Sequence, residues 1–303
     1  MMVPVQVVGI GQCACDLIGA LAVYPQVDQK SELQHLNIEG GGPVASALVA
    51  LRRLDISCAI RGRIGGDDFG DRIRAGLVTE GVDCNGLYVD RNGSSQVAFI
   101  VVDDAGRRTI FCHRGNSRPL QADDIDPEQI AAARILHLDG QQSDAALAAA
   151  RIARDHGVVT VLDGGTLRDQ TWPLLPLIDH LVVSEAFARQ YAGAGTPEQQ
   201  LAQLLETGAQ AAVITAGPAG CWGQEPGCAV QHQPAFSLPV VDTTGCGDAF
   251  HGGYIYGLLQ GWGLVERMRF AAAVAALKTR DFGGRRALPA LAEVEAFLST
   301  QAQ

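Results

Sequence analysis

The sequence predicts an α/β fold: a mostly parallel sheet with helices on both faces and a small β lid. Two patterns carry this expectation. Short apolar runs alternate with helical stretches throughout the second half, which is how a parallel sheet is connected and covered. One segment, 95–113, breaks the alternation and reads as a hairpin. With 303 residues, 47% of them hydrophobic, the chain can bury one large core, so 1–303 is read as a single domain.

The elements follow in order. "VQVVGIG" (5–11) is a continuous apolar run ending in glycine, which suits a buried strand. "GGGPVASALVALRRL" (40–54) is a turn followed by a helix with Pro43 at its start. "SCAIRGRIG" (57–65) reads as a strand and "DFGDRIRAGLVTEG" (68–81) as a helix. "SQVAFIVVDDAGRRTIFCH" (95–113) is two strand-like runs joined at Asp104-Ala105-Gly106. Then "ARILHLDG", "VVTVLDGG", "DHLVVSE" and "AQAAVITAG" are strands, with "DAALAAARIARDHG" and "PEQQLAQLLETG" helical between them. "DAFHGGYIYGLLQG", "ERMRFAAAVAALKTR" and "LAEVEAFLST" close the chain as helices. The lid draws on about residues 13–38 and 90–114. Ligands of such sheets bind at the carboxyl ends of the strands.

Composition excludes several functions. The formal net charge of -10 leaves no global basic footprint for nucleic acid. No apolar run approaches the ~20 residues of a membrane helix. The start, "MMVPVQVVGIG", lacks the basic and long apolar regions of a signal peptide, so a cytoplasmic location and eight free cysteines are expected. Cys13-x-Cys15 is too tightly spaced for a zinc knuckle and has no partner pair. Lys30 and Lys278 are the only lysines, and neither stands in a G-x-x-x-x-G-K-[ST] string. A phosphate site must therefore use backbone amides, arginines or a metal.

"VVDTTGCGDAFHGG" (240–253) supplies such a site. Gly245 and Gly247 bring bare amides close to a ligand, and the helix that follows aims its N-terminal N–H groups at the same point. Asp248 sits in the first helical turn, where a carboxylate also serves as an ordinary cap. Cys246, at the same helix end, is expected to lean towards thiolate, with Asp248 opposing. "GIGQCA" (9–14) fits the dinucleotide fingerprint, which keeps an NAD(P)-dependent oxidoreductase as an alternative. Gly19 and Pro25 in the following "CDLIGALAVYPQVDQ" argue against the helix that fingerprint needs.

"DTTGCGDAF" resembles the DTxGAGDxF signature of the ribokinase-like, PfkB-type sugar kinases, with Cys246 for alanine. "EGGGPVASALVALRRL", "RIGGDDFGDRIRAGLVTEGVD" and "VITAGPAGC" are similar to further segments of that family, so the resemblance runs from about residue 5 to 290. It implies an ATP-dependent phosphotransferase acting on a primary hydroxyl of a sugar or sugar derivative. Asp248 would be the general base, and the amides of Gly245, Cys246 and Gly247 the anion hole. Asp16 would grip sugar hydroxyls, and Gly41 and Gly42 would let backbone approach the sugar, although Pro43 replaces the usual asparagine. Lys30 and Arg114, in the lid segments, would meet an anionic substituent; His113 is a third candidate. Thr215, Gly217 and Gly220 match the nucleotide turn. Asp242 and Thr244, with the later "FGGRRALP" loop, match a K⁺ site. After "LVV" (181–183) the family's N-x-x-E is replaced by Ser184 and Phe187, so Glu185 or a water network becomes the candidate for organising Mg²⁺. "GGGP" and "QHQPAF" resemble the branch containing sulfofructose kinases. A homodimer through the lid is implied as well. The lost N-x-x-E also motivates a further alternative, a catalytically silent sugar- or nucleotide-binding protein on this scaffold.

Overall fold

The structure, a computed structural model, describes residues 5–104 and 107–301. Ala105 and Gly106 of the expected hairpin turn lie outside the described residues. The strands are β1 (Val7–Ile10), β2 (Ala14–Leu21), β3 (His35–Gly41), β4 (Cys58–Gly65), β5 (Leu87–Asp90), β6 (Gln96–Asp103), β7 (Arg108–His113), β8 (Ile135–Leu138), β9 (Val159–Gly164), β10 (His180–Ser184), β11 (Ala211–Thr215), β12 (Cys221–Gln224) and β13 (Gln231–Gln233). The helices are α1 (Pro43–Arg53), α2 (Asp68–Thr79), α3 (Pro127–Ala132), α4 (Ser143–His156), α5 (Glu185–Ala192), α6 (Pro197–Leu205), α7 (Cys246–Leu259), α8 (Leu264–Lys278) and α9 (Leu291–Thr300).

Nine strands form the central sheet in the order β13-β12-β11-β10-β9-β8-β1-β4-β5. Pairing is parallel from β11 to β5, and β12 and β13 are added antiparallel at one edge. The short apolar runs of β1, β8 and β10 are buried on both faces, which is why they read as continuous rather than alternating. Neighbouring residues on β1 serve opposite cores. Val7 packs into the one formed with α1, α7 and α8, and Val8 into the one formed with α4, α5 and α6.

The second sheet has four strands in the order β3-β2-β6-β7. β6 pairs with β7 antiparallel, as the hairpin pattern predicts. β2 lies where a dinucleotide fold would place its first helix. Residues 14–21 instead pair along their length with β3 and β6, so the G-x-G-x-x-A match does not open a Rossmann unit. Ile18, Ala98, Ile100 and Val102 form this sheet's own small core.

Candidate active site

The loop before α7 is held from all sides. Asp242 is fully buried, and its Oδ1 accepts both the amide and the hydroxyl of Thr244 at 2.8 Å. Its Oδ2 accepts the Gly283 amide at 2.9 Å, and its carbonyl accepts Lys278 Nζ at 3.0 Å. Gly245 then takes φ +74°, and a Cβ there would lie 2.5 Å from the Gly284 carbonyl, so only glycine fits. α7 starts at the next residue. The Cys246 amide turns back to the Thr243 carbonyl at 3.3 Å, and the Gly245 carbonyl is taken by Ala249 at 2.9 Å. The N–H groups of Gly247 and Asp248 are first-turn donors without helical partners, which leaves them for an anion.

Asp248 sits at N3 of this helix among other charges. Burial pushes its pKa up to about 7, with Asp163 and Asp16 raising it and His251 and Arg285 opposing. His251, one helical turn on, places Nε2 at 3.3 Å from Asp163 Oδ1. Burial alone would raise Asp163, but the charge and hydrogen bond of His251 hold it below the usual carboxylate range. Behind them His137 bonds the Val161 carbonyl through Nδ1 at 3.3 Å and is kept neutral, its pKa lowered by burial and by His251 to about 4. Asp139, directly after β8, accepts the Gln12 and Gln141 amides at 2.7 and 3.0 Å. Burial nonetheless pushes it up to about 7.

Asp16 projects from β2 and is buried; desolvation raises it to about 7, Arg285 lowers it and Glu39 raises it. Arg285 is a buried cation of this cleft. It donates to the Gly41 carbonyl at 2.9 Å and to Ser46 Oγ at 3.1 Å. The glycine run 40–42 makes room for this arrangement. A Cβ on Gly40 would strike the Arg285 guanidinium, and one on Gly41 the Asp16 carboxylate. Gly42 has φ +94° and hands over to Pro43, the first residue of α1. Gly41 thus lies against the Asp16 carboxylate, and Gly42 against the Gln12 carbonyl.

Arg114 reaches the same end of the sheet. Its Nη1 donates to Gln141 Oε1 at 3.4 Å, and with Arg63, Gln12, Gln96 and Gln142 it lines a cavity that no carboxylate lines. Arg168, after β9, is depressed by burial and by the Arg114 guanidinium, so a third cation is near. Lys30 is not brought there: it is exposed in the segment 22–34 between β2 and β3. His113 is likewise exposed, at the end of β7.

Thr215 ends β11, its hydroxyl donating to the Val183 carbonyl at 3.3 Å. Gly217 and Gly220 have φ +54° and +89°, and a Cβ on Gly220 would collide with the Gln233 carbonyl of β13. The turn is therefore built by glycine at both positions. Trp222 and His232 stack beside it with centroids 4.4 Å apart.

Two expectations are corrected. Glu185 does not enter the cleft: its side chain is 59% exposed and pairs with Arg189 at 3.1 Å along α5, because Ser184 caps that helix and turns Glu185 outward. Asp242 and Thr244 are tied into the loop, both carboxylate oxygens and the carbonyl of Asp242 accepting hydrogen bonds. Cys246 is not activated. Burial raises its thiol to about 11, and the nearby Lys278 and Arg108 do not offset this. Arg285, Asp163, Asp139 and His251 went unread in the sequence. Asp139 and Asp163 had a legible signal, an acid at the carboxyl end of a parallel strand, in "ILHLDG" and "TVLDGG".

The carboxyl end of a parallel sheet, a second sheet that reaches over to residue 243 through Arg108, and a glycine-rich helix start together make up the candidate site. The description "pfkB family carbohydrate kinase" matches residues 5–291. The chain belongs to this family of carbohydrate kinases. It is similar to the ATP-dependent ribose-1-phosphate kinase of Halopiger xanaduensis, at 29% identity over 97% of this chain and 98% of that one. It is 26% identical to the ribokinase of Haemophilus influenzae, over 95% of this chain and 97% of that one. A solved structure from Agrobacterium tumefaciens superposes with TM-score 0.93 at 28% identity, covering 98% of each chain. The ribokinase of Arabidopsis thaliana, 23% identical, shares the fold with TM-score 0.84 over 98% of this chain and 99% of that one.

Proposed function

We propose that this carbohydrate kinase moves the γ-phosphoryl group of Mg²⁺-ATP to a primary hydroxyl of a sugar, with Asp248 as the general base. One observation carries the assignment: a carboxylate with its pKa raised to about 7 follows directly on the Gly245–Gly247 turn at the start of α7. A base poised near the working pH takes the hydroxyl proton most effectively, typically for ~10²–10⁴-fold in rate. The amides of Gly247 and Asp248, with the dipole of α7, stabilise charge on the transferred group. Gly245 supplies the turn, and the Cys246 amide, expected in the anion hole, is held by the Thr243 carbonyl instead.

Asp16 accepts sugar hydroxyls, and Gly41 and Gly42 keep the backbone close. Arg114, with Arg63 in the same cavity, meets an anionic substituent of the sugar; the kinase of Halopiger xanaduensis is named for such a substrate. Thr215, Gly217 and Gly220 border the nucleotide. A solved structure of the same fold from E. coli is a complex with ATP and Mg²⁺. Mg²⁺ is carried chiefly by phosphates and water, so it needs few protein ligands; Asp163 and Asp248 are the acids on that side of the cleft, and the ion neutralises phosphate charge when bound. K⁺ is not part of this reading, because the Lys278 ammonium already brings a positive charge to the Asp242 carbonyl. The four-stranded sheet acts as a lid that excludes water from the transfer.

Ile38, Phe99 and Phe111 stand in one cross-strand row of that sheet and are exposed, so a second copy covering this row fits better than open solvent. Among the described residues no helix is long and apolar enough to cross a membrane. With free cysteines throughout, a cytoplasmic location suits the chain. The test is ADP release with Mg²⁺-ATP across neutral, phosphorylated, sulfonated and carboxylated sugars. Release that depends on one of them supports the reading; ATP binding with no release from any sugar supports a silent binding protein instead.

A further inference from the structure

Lys278 is one of two lysines in the chain, and it is fully buried. It ends α8 and donates to the main-chain carbonyl of Asp242 at 3.0 Å. An ammonium carries three donors, and burying it costs several kcal/mol unless charge and hydrogen bonds compensate. An uncharged side chain of similar volume would fill a helix end at lower cost. Stability alone therefore does not account for a lysine at this place.

Its surroundings do. Asp242 and Glu39 attract the ammonium and Arg108 repels it. Cys246 and Asp242 belong to the loop that precedes Asp248. Arg108 reaches that loop from β7, donating to the carbonyl and hydroxyl of Thr243 at 3.2 and 2.9 Å. Glu39, on β3, accepts the Gly284 amide beside Gly245. The ammonium is thus a fixed positive charge on the protein side of the amide cradle. Fixed charge in a water-poor site acts strongly on charge that develops nearby.

We propose that Lys278 is a positioning residue for phosphoryl transfer, an internal cation that holds the 242–246 loop through the Asp242 carbonyl and biases the cradle towards negative charge. It makes a dissociable monovalent cation unnecessary at this loop. The inference rests on reading that loop as the phosphoryl cradle.

The experiment compares wild type, Lys278→Ala and Lys278→Met in matched NaCl, KCl and NH₄Cl, by thermal melting and by sugar-dependent ADP release. Wild type melts and turns over equally in K⁺ and Na⁺. Lys278→Ala loses about tenfold or more in kcat, and K⁺ or NH₄⁺, entering the vacated space, restores most of it and raises the melting temperature. Lys278→Met folds, loses the same activity and is not restored. Activation or stabilisation of wild type by K⁺ over Na⁺ would overturn the proposal, as would a folded Lys278→Ala that ignores all three ions or a fully active Lys278→Met. If neither variant folds, the wild-type comparison decides. The melting arm needs no sugar, so a failure of the kinase reading shows separately, as wild type that releases no ADP with any sugar.

Discussion

His251 Nε2 lies 3.3 Å from Asp163 Oδ1, one helical turn beyond Asp248, and the two side chains pull the pKa of Asp248 in opposite directions. Asp163 raises it and His251 lowers it, on top of the larger effect of burial. The base is active when ionised, so kcat falls as pH drops through about 7. Removing the negative charge with Asp163→Asn moves this acid limb to lower pH, and His251→Asn moves it higher. Limbs at one pH in wild type and both variants would show that this pair does not tune the base.

Asp139 allows the sign of a stability change to be fixed. Its folded pKa is raised from 3.8 to about 7 by burial, so the folded state holds the proton more tightly than the unfolded chain. The stability it contributes is complete below pH 3.8 and is lost as pH rises through about 7. Asp139→Asn removes that loss. The melting temperature of the variant minus that of wild type should therefore be more positive at pH 8 than at pH 5. A difference that is flat with pH, or that falls, contradicts the assignment.

Thiol labelling follows from the burial of Cys246. Cys112 and Cys228 are exposed, whereas Cys246 is half-buried with its thiol pushed up to about 11. Mass spectrometry of protein briefly treated with iodoacetamide at pH 7.5 should find label on Cys112 and Cys228 before Cys246. Early labelling of Cys246 would mean that the helix N-terminus outweighs desolvation after all.

Asp16→Ala should raise KM for the sugar far more than KM for ATP, because Asp16 stands on β2 beside Gly41 and away from the Gly217–Gly220 turn. Initial rates with each substrate varied in turn measure this. Equal rises in both constants would remove Asp16 from the sugar side.

Local signals made most of the fold legible. Continuous apolar runs gave the central strands, because strands buried on both faces need no alternation. Pro43 and Gly42 marked the start of α1 from φ restraints alone. β2 and β3 were harder: Gly19 in one and the mostly exposed side chains of the other leave little periodicity, and their pairing is set by partners far along the chain. The cradle around Asp248 was legible because its parts are adjacent in sequence. Arg285 was not, since it meets Asp16 and Gly41 only after the chain has folded across more than two hundred residues. Glu185 was misplaced for a local reason. The Ser184 cap fixes the first turn of α5 and directs Glu185 along the helix to Arg189.

The central claim is that Asp248 removes the proton from the sugar hydroxyl. Asp248→Asn keeps the side chain's shape and the helix start while removing the base. With the sugar that supports ADP release in wild type, the variant should bind Mg²⁺-ATP normally in a thermal-shift assay and lose at least about 10²-fold in kcat. A variant that retains kcat to within about tenfold would make Asp248 a helix-capping acid and contradict the account.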